Sequence, residues 1–353
     1  MTDQLAEQKH EDPGSSAGTS SDLFRSPSRI ALGVMWLLAA GFVVVMLLQD
    51  VRLTDHYGGA RLLLHVGYVG ALLWFLCRTE PDLDRLPAVR QQLLPRWSFA
   101  AWIPAALIGL VFLLTIVSDD GTDILMLLMM GSTLWLLVVW WRQIRLVPVA
   151  QGLVLAVVAG VAILPAMSAG FISETALYLL AGMTAPMFVV GGMLFRRSGL
   201  GGVRLLEGSY AGALRSFLLG CLMFLPLGLI NAADGSPGGD TSWVNQVWMP
   251  FTLPWFSGIA EETWFRLLLV GLVYFLLRPA FRDQPAVAVV LAVFFSGITF
   301  GLGHGRTVER FLTTGLLYGV PMAAVFAKRD FEHAVGAHYM VNMIPWAMAY
   351  LES

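Results

Sequence analysis

The sequence predicts an all-α, polytopic transmembrane helix bundle of about eleven spans. Two observations carry that expectation. The 353 residues are 57% hydrophobic and only 13% charged, where ordinary soluble domains are about a quarter charged; the mean hydropathy is +0.71. Apolar runs of about 18–23 residues also recur along the chain, each able to cross ~30 Å of hydrocarbon. The net charge of -2 says nothing about partners, because the basic residues report topology, and no nucleic acid is expected among them. The two cysteines, Cys77 and Cys221, both lie in apolar runs, which argues against a disulfide framework. No zinc-type Cys/His spacing occurs.

Residues 1–29 are polar, rich in Ser, Gly, Asp and Glu, and lack hydrophobic periodicity, which predicts a disordered cytoplasmic tail. The tail is too long and too acidic for a signal-peptide start, and the run from Ile30 is too long for its apolar part, so that run reads as an anchor. Spans are expected near 30–49, 59–77, 99–118, 122–141, 147–167, 174–195, 211–231, 250–277, 284–304, 308–327 and 332–351. No internal repeat is visible. The order divides the chain into the tail, N-terminal membrane helices over 30–231 with no assignable role, a flexible loop over 232–247, and a closing bundle over 248–351. Gly235, Pro237, Gly238 and Gly239 make the loop flexible.

Loop charges orient the set. Arg25 and Arg29 precede the first span, and Arg78, Arg85, Arg90 and Arg96 follow the second. Arg142 and Arg145 follow the fourth, Arg196, Arg197 and Arg204 the sixth, Arg278 and Arg282 the eighth, and Lys328 and Arg329 the tenth. The alternate loops are poor in Arg and Lys, with Arg52, Arg61, Arg306 and Arg310 as exceptions. The alternation predicts a multi-pass protein of the cell (inner) membrane with its N-terminus inside and its C-terminus outside. Between Pro81 and Trp97, arginines interleave with Leu83, Leu86, Val89 and Leu93; a short surface helix and a solvated loop both fit.

The eighth span holds Ile259-Ala260-Glu261-Glu262-Thr263-Trp264-Phe265-Arg266. Charges in hydrocarbon cost roughly 2.5–3.5 kcal/mol each on insertion scales, so a helix of plain structural duty would not carry three. On a helix, Glu262 and Arg266 stand at i and i+4 and can neutralise each other, a packing ion pair. Glu261 is then rotated about 100° away and left free.

Two later spans add polar residues. Phe300-Gly301-Leu302-Gly303-His304 ends the ninth, after Ser296, Gly297, Gly301 and Gly303 that permit close helix approach. The last contains His338 and Asn342 at i and i+4, on one face. Each has a bland alternative: a lone histidine such as His304 or His65 can simply bond a carbonyl, and Asn342 can simply join two helices.

Taken together, Glu-Glu-x-x-x-Arg at Glu261, Glu262 and Arg266, Phe-x-x-x-His at Phe300 and His304, and His-x-x-x-Asn at His338 and Asn342 occur in this order along one chain. In that order they resemble the three signatures of the CPBP family, the intramembrane proteases related to the type II CAAX prenyl endopeptidase and to bacteriocin-immunity proteins. The resemblance covers roughly 248–351, and the earlier spans carry no such signature. Leu267 departs from it, since many members have a small residue there. The resemblance implies a catalytic bundle over 248–351 that hydrolyses a peptide bond of a membrane-anchored protein or C-terminal tail. Glu261 and His304 would hold and activate a water. His338 and Asn342 would donate to the oxyanion, each well-placed donor contributing roughly 3–4 kcal/mol. Glu262, Arg266 and Phe300 would support them. The family leans towards chemistry without a cofactor.

Other readings stay open. Glu261, His304 and His338 also make a three-ligand set of the catalytic zinc type. A binding, immunity or chaperone protein of the same fold would use the polar site without catalysis, and a transporter would be expected to show repeats. Substrates in view are prenylated tails, pheromone precursors and sorting anchors. One tension follows from counting ~1.5 Å per residue: Glu261 and His304 lean outward, whereas His338 starts deeper, unless the span ends are offset by a turn or two or Pro250 and Pro254 break the eighth helix.

Overall fold

The computed structural model describes residues 59–78, 102–118, 120–170, 174–233, 241–305, 307 and 310–353. The expected tail, the first span at 30–49, the segment 81–97 and residues 234–240 of the expected loop lie outside the described residues. Among those described there are helices and no strands. The helices are α1 (Gly59–Arg78), α2 (Ile103–Val117), α3 (Gly121–Val139), α4 (Leu146–Ser168), α5 (Glu174–Ser198) and α6 (Tyr210–Ala232). After the loop comes α7, a helix in four pieces: Met249–Thr252, Pro254–Phe256, a π-helical stretch Ser257–Val270, and Gly271–Leu277. α8 is Pro285–Gly303; α9 is a π-helical turn run Phe311–Gly319 continued by Val320–Lys328; α10 is Phe331–Glu352. Each expected span from the second onward falls on one of these.

Five of them, α3, α4, α6, α8 and α9, are long and apolar enough to cross a membrane. This is a multi-pass membrane protein. The count of eleven is not reached on that criterion: the first expected span lies outside the described residues, and the apolar stretches of α1 and α2, Leu63–Cys77 and Ile103–Val117, are shorter. α5, α7 and α10 carry the Gly and polar residues of the interior, and their lower hydropathy is affordable only behind lipid-facing neighbours. Those neighbours turn leucine and valine outward: Leu107, Leu110 and Leu114 on α2, Leu153, Val157 and Val161 on α4, Leu214, Leu218 and Leu222 on α6 are all exposed.

α7 is the centre. Leu267, Leu268, Val270 and Tyr274 are fully enclosed, and Trp264 donates its indole N–H to Thr184 of α5 at 3.3 Å. The bulk at Leu267 is accommodated by an absence of bulk opposite, because a Cβ on Gly191 of α5 would lie 2.6 Å from Leu267 Cγ. α6 and α10 run side by side through glycine contacts. A methyl on Gly220 would strike the His333 carbonyl, and one on Gly336 the Phe217 carbonyl. The small residues expected on α8 behave as anticipated at two positions: Gly297 abuts Val320 and Gly319, and Gly301 abuts Gly315. Gly303 faces only the Phe265 ring, 3.9 Å away.

The arginine-rich connections gather at one end. Arg278 donates to the carbonyls of Arg197 and Ser198 at 3.4 and 3.2 Å, and Arg197 to Gln143 at 2.6 Å. Nearby, Asp330 caps α10 through the His333 N–H at 2.9 Å. It also accepts from the Ser216 hydroxyl at 2.9 Å and from Arg204 at 3.2 Å. Burial by itself raises the Asp330 carboxyl, but hydrogen bonds and charge from His333, with Ser216, outweigh it and hold the group below its ordinary value. Glu332 accepts the backbone N–H groups of Arg204 and Leu205 at 3.0 and 2.9 Å, pinning the α5–α6 connection to the first turn of α10.

Candidate active site

Local sequence sets the entry to the site. Pro250 and Pro254 each open a short helical piece, because proline fits a first turn and cannot continue one. After the second break the chain adopts π-helix, a rare form frequently found at functional sites. The Phe265 carbonyl in this stretch accepts the Ser296 hydroxyl of α8 at 2.6 Å, a side chain entering the backbone ladder. The wider turn keeps Glu262 and Arg266 adjacent, with Nε 3.3 Å from Oε2 and both side chains wholly buried. Arg266 reaches the Ser296 hydroxyl at 3.4 Å, Met322 Sδ at 3.8 Å, and lies over the Phe300 ring at 4.5 Å.

The expected ion pair is therefore present, but Glu262 has a second partner. Its Oε1 accepts the His338 Nδ1–H at 2.8 Å. The other imidazole nitrogen, Nε2, lies 3.5 Å from Glu261 Oε2. His304 comes to the same oxygen from α8, its Nε2 3.9 Å away. Its Nδ1 is engaged by the Phe300 carbonyl at 2.9 Å, which can only accept, so Nδ1 carries the proton. Gly305, at φ +146, lets the chain turn sharply just beyond that histidine.

These bonds set which nitrogens face Glu261. With both Nδ1 positions donating, the two Nε2 atoms are the ones turned to Glu261 Oε2, and in the neutral imidazoles each presents a lone pair there. Glu261 Oε2 is buried without a hydrogen bond from the protein. Three acceptors facing one spot suit a species with protons to give or a cation. Glu261 and His304 are also the reachable members of the set, their side chains 18% and 39% exposed, against 3% for His338.

Phe300 touches both imidazoles, its ring tilted against that of His304 at 4.5 Å and edge-on to that of His338 at 5.6 Å. Asn342 goes elsewhere: its amide donates to Ser257 Oγ at 2.7 Å, and that hydroxyl donates to the Pro254 carbonyl at 3.2 Å. Sequence reading did not single out Ser257, one turn before Glu261, although a hydroxyl beside two prolines in an apolar helix was a signal. The depth mismatch between His338 and the other two residues is absent, since both imidazoles lie within 3.9 Å of Glu261 Oε2.

That same stretch is what matches a known family. Residues 243–344 match the family model of the type II CAAX prenyl endopeptidase, Rce1-like. Over those residues the match supports the resemblance to the CAAX/CPBP-type intramembrane protease family. The match covers the loop end through most of α10 and excludes α1–α6. No curated protein and no solved structure matches the chain.

Proposed function

We propose that the Rce1-like domain is an intramembrane endopeptidase that hydrolyses a membrane-associated protein or peptide with water activated by Glu261. The observation that supports this most is the convergence of Glu261 Oε2 with the two Nε2 atoms. A water between Glu261 Oε2 and His304 Nε2 points one proton at each and keeps a lone pair free for a carbonyl carbon. Glu261 takes one proton as base and returns it to the leaving amine as acid. His304 holds the water. His338, kept in one tautomer by Glu262, and Asn342 stabilise the oxyanion. For that step Asn342 must turn its amide from Ser257, and His338 must take a proton from solvent before the substrate binds, which makes its Nε2 a donor and leaves Glu261 Oε2 and His304 Nε2 as the two acceptors that hold the water. The bilayer supplies the substrate laterally or as an anchored tail, and the cell (inner) membrane is the proposed setting.

Zinc held by Glu261, His304 and His338 is the second reading, favoured by the two Nε2 atoms sharing one carboxylate neighbour and by Glu262 behind His338 as an outer partner. Among the described residues, however, no three His, Cys, Asp or Glu side chains adopt a metal-binding arrangement as they stand, so no step is routed through a metal. A non-catalytic binding, immunity or chaperone role is the reading to which a failure of hydrolysis would return.

The test is a comparison of membrane-peptide profiles between cells carrying the intact chain and cells carrying Glu261→Gln. Peptides cleaved only in the first support hydrolysis and name the substrate. Identical profiles under all growth conditions would count against it. Repeating the assay on purified protein with a zinc chelator divides the mechanisms: undiminished cleavage supports glutamate and water alone, while loss that zinc restores supports the metal.

A further inference from the structure

We infer that the arginine-rich end of the molecule holds a built site for an anionic glycerophospholipid, separate from the Glu261 centre. A cleft of about 610 Å³ opens there between the start of α4, the end of α5 and the α5–α6 connection. Two exposed guanidinium groups line it, Arg145 at the N-cap of α4 and Arg196 in the last turn of α5. Arg196 is held in place by the Leu206 carbonyl at 3.0 Å, which aims rather than neutralises its charge. Tyr210 adds an exposed hydroxyl, and Gln151, fixed to the Leu205 carbonyl at 2.7 Å, presents a buried amide oxygen with no partner. Glu207 is the one acid on the wall, and it leans to Arg204 at 3.9 Å. The balance of charge is positive.

Position and shape select a lipid over a free anion. Leu146 and Val147, exposed by 87% and 62%, continue the wall of the cleft along α4. They offer an aliphatic surface where acyl chains would lie. Beside the cleft, Arg197 stacks on Trp140 at 4.3 Å and Arg142 on Trp141 at 5.3 Å. Tryptophan and arginine together are the signature of headgroup depth. A phosphodiester between two guanidiniums, with chains running down an apolar helix face, satisfies both halves of the cleft, as basic pockets between membrane helices do. The far wall, Leu205 to Glu207, is the connection that Glu332 ties to α10, so an occupant would brace the helix that carries His338.

The purified full chain in neutral detergent tests this with dioctanoyl phosphatidylglycerol, dioctanoyl phosphatidylcholine and inorganic phosphate, each titrated while thermal unfolding is followed. Phosphatidylglycerol should raise the midpoint saturably, phosphatidylcholine should require at least tenfold more, and phosphate alone should have no effect. Arg145→Gln/Arg196→Gln should weaken the phosphatidylglycerol response at least tenfold, and Arg282→Gln, an arginine outside the cleft, should leave it unchanged. Should the double variant not fold, Arg145→Gln alone, at an exposed position, carries the same expectation at about a threefold loss. Equal responses to the two lipids, a response to phosphate matching that to lipid, or an unaltered response in the arginine variants would overturn the site.

Discussion

Glu262 and His338 are joined by a 2.8 Å hydrogen bond across 76 residues of chain. Glu262 thereby has two tasks, balancing Arg266 and setting the imidazole tautomer, and only the first was apparent from their spacing. Replacing it as Glu262→Gln keeps an acceptor for His338 but leaves the wholly buried Arg266 unpaired. Breaking a buried pair this way costs about 3–5 kcal/mol. A large drop in the unfolding midpoint of the detergent-solubilised protein is expected, with activity falling as a consequence. Full stability would show that Arg266 draws its support from Phe300 and Ser296 alone.

His338 and Asn342 can be separated from simple helix packing by kinetics. Acting on the oxyanion, each alanine variant lowers kcat by about 10²–10³ with KM little changed. Ser257→Ala, which frees the Asn342 amide, should affect kcat far less than Asn342→Ala. Variants that lose stability while the surviving folded protein keeps its kcat would assign the pair to bracing α10 against α7.

Glycine contacts make a sharper test of the fold. Gly336→Ala drives a methyl into the Phe217 carbonyl and should destabilise by about 1–3 kcal/mol. Gly131→Ala, on α3 with nothing within 4 Å, should be neutral or stabilising by up to about 1 kcal/mol. Equal effects would contradict the α6–α10 contact.

The loop charges predict sidedness. In a Cys77→Ser/Cys221→Ser background, Asn245→Cys should react with an impermeant thiol reagent on intact cells, and Arg142→Cys only after permeabilisation. The reverse labelling would invert the topology and turn the Glu261 side towards the cytosol.

How much of this was legible beforehand differs by residue. Helix positions followed from apolar run length, and the breaks at Pro250 and Pro254 from proline chemistry. The i,i+4 pairing of Glu262 with Arg266 needed only local geometry. The Glu262–His338 bond, the Ser257–Asn342 bond and the accommodation of Leu267 by Gly191 join residues 76 or more apart, which spacing along one helix does not report. The π-helical turns of α7 were also hidden, because side chains such as Ser296 that enter the ladder arrive from another helix. The domain match stops short of α1–α6, and their sequence holds no signature that assigns them a task.

The central claim is that Glu261 performs the chemistry while Glu262 holds the frame, and one variant tests it most directly. Glu261→Gln preserves size and hydrogen bonding in a side chain that is 18% exposed and makes no buried ion pair with arginine. Purified Glu261→Gln, compared with the intact protein for unfolding midpoint, substrate binding and cleavage of a peptide found in the membrane profiles, should match it in the first two and show no cleavage. A folded Glu261→Gln protein that still cleaves would contradict the account.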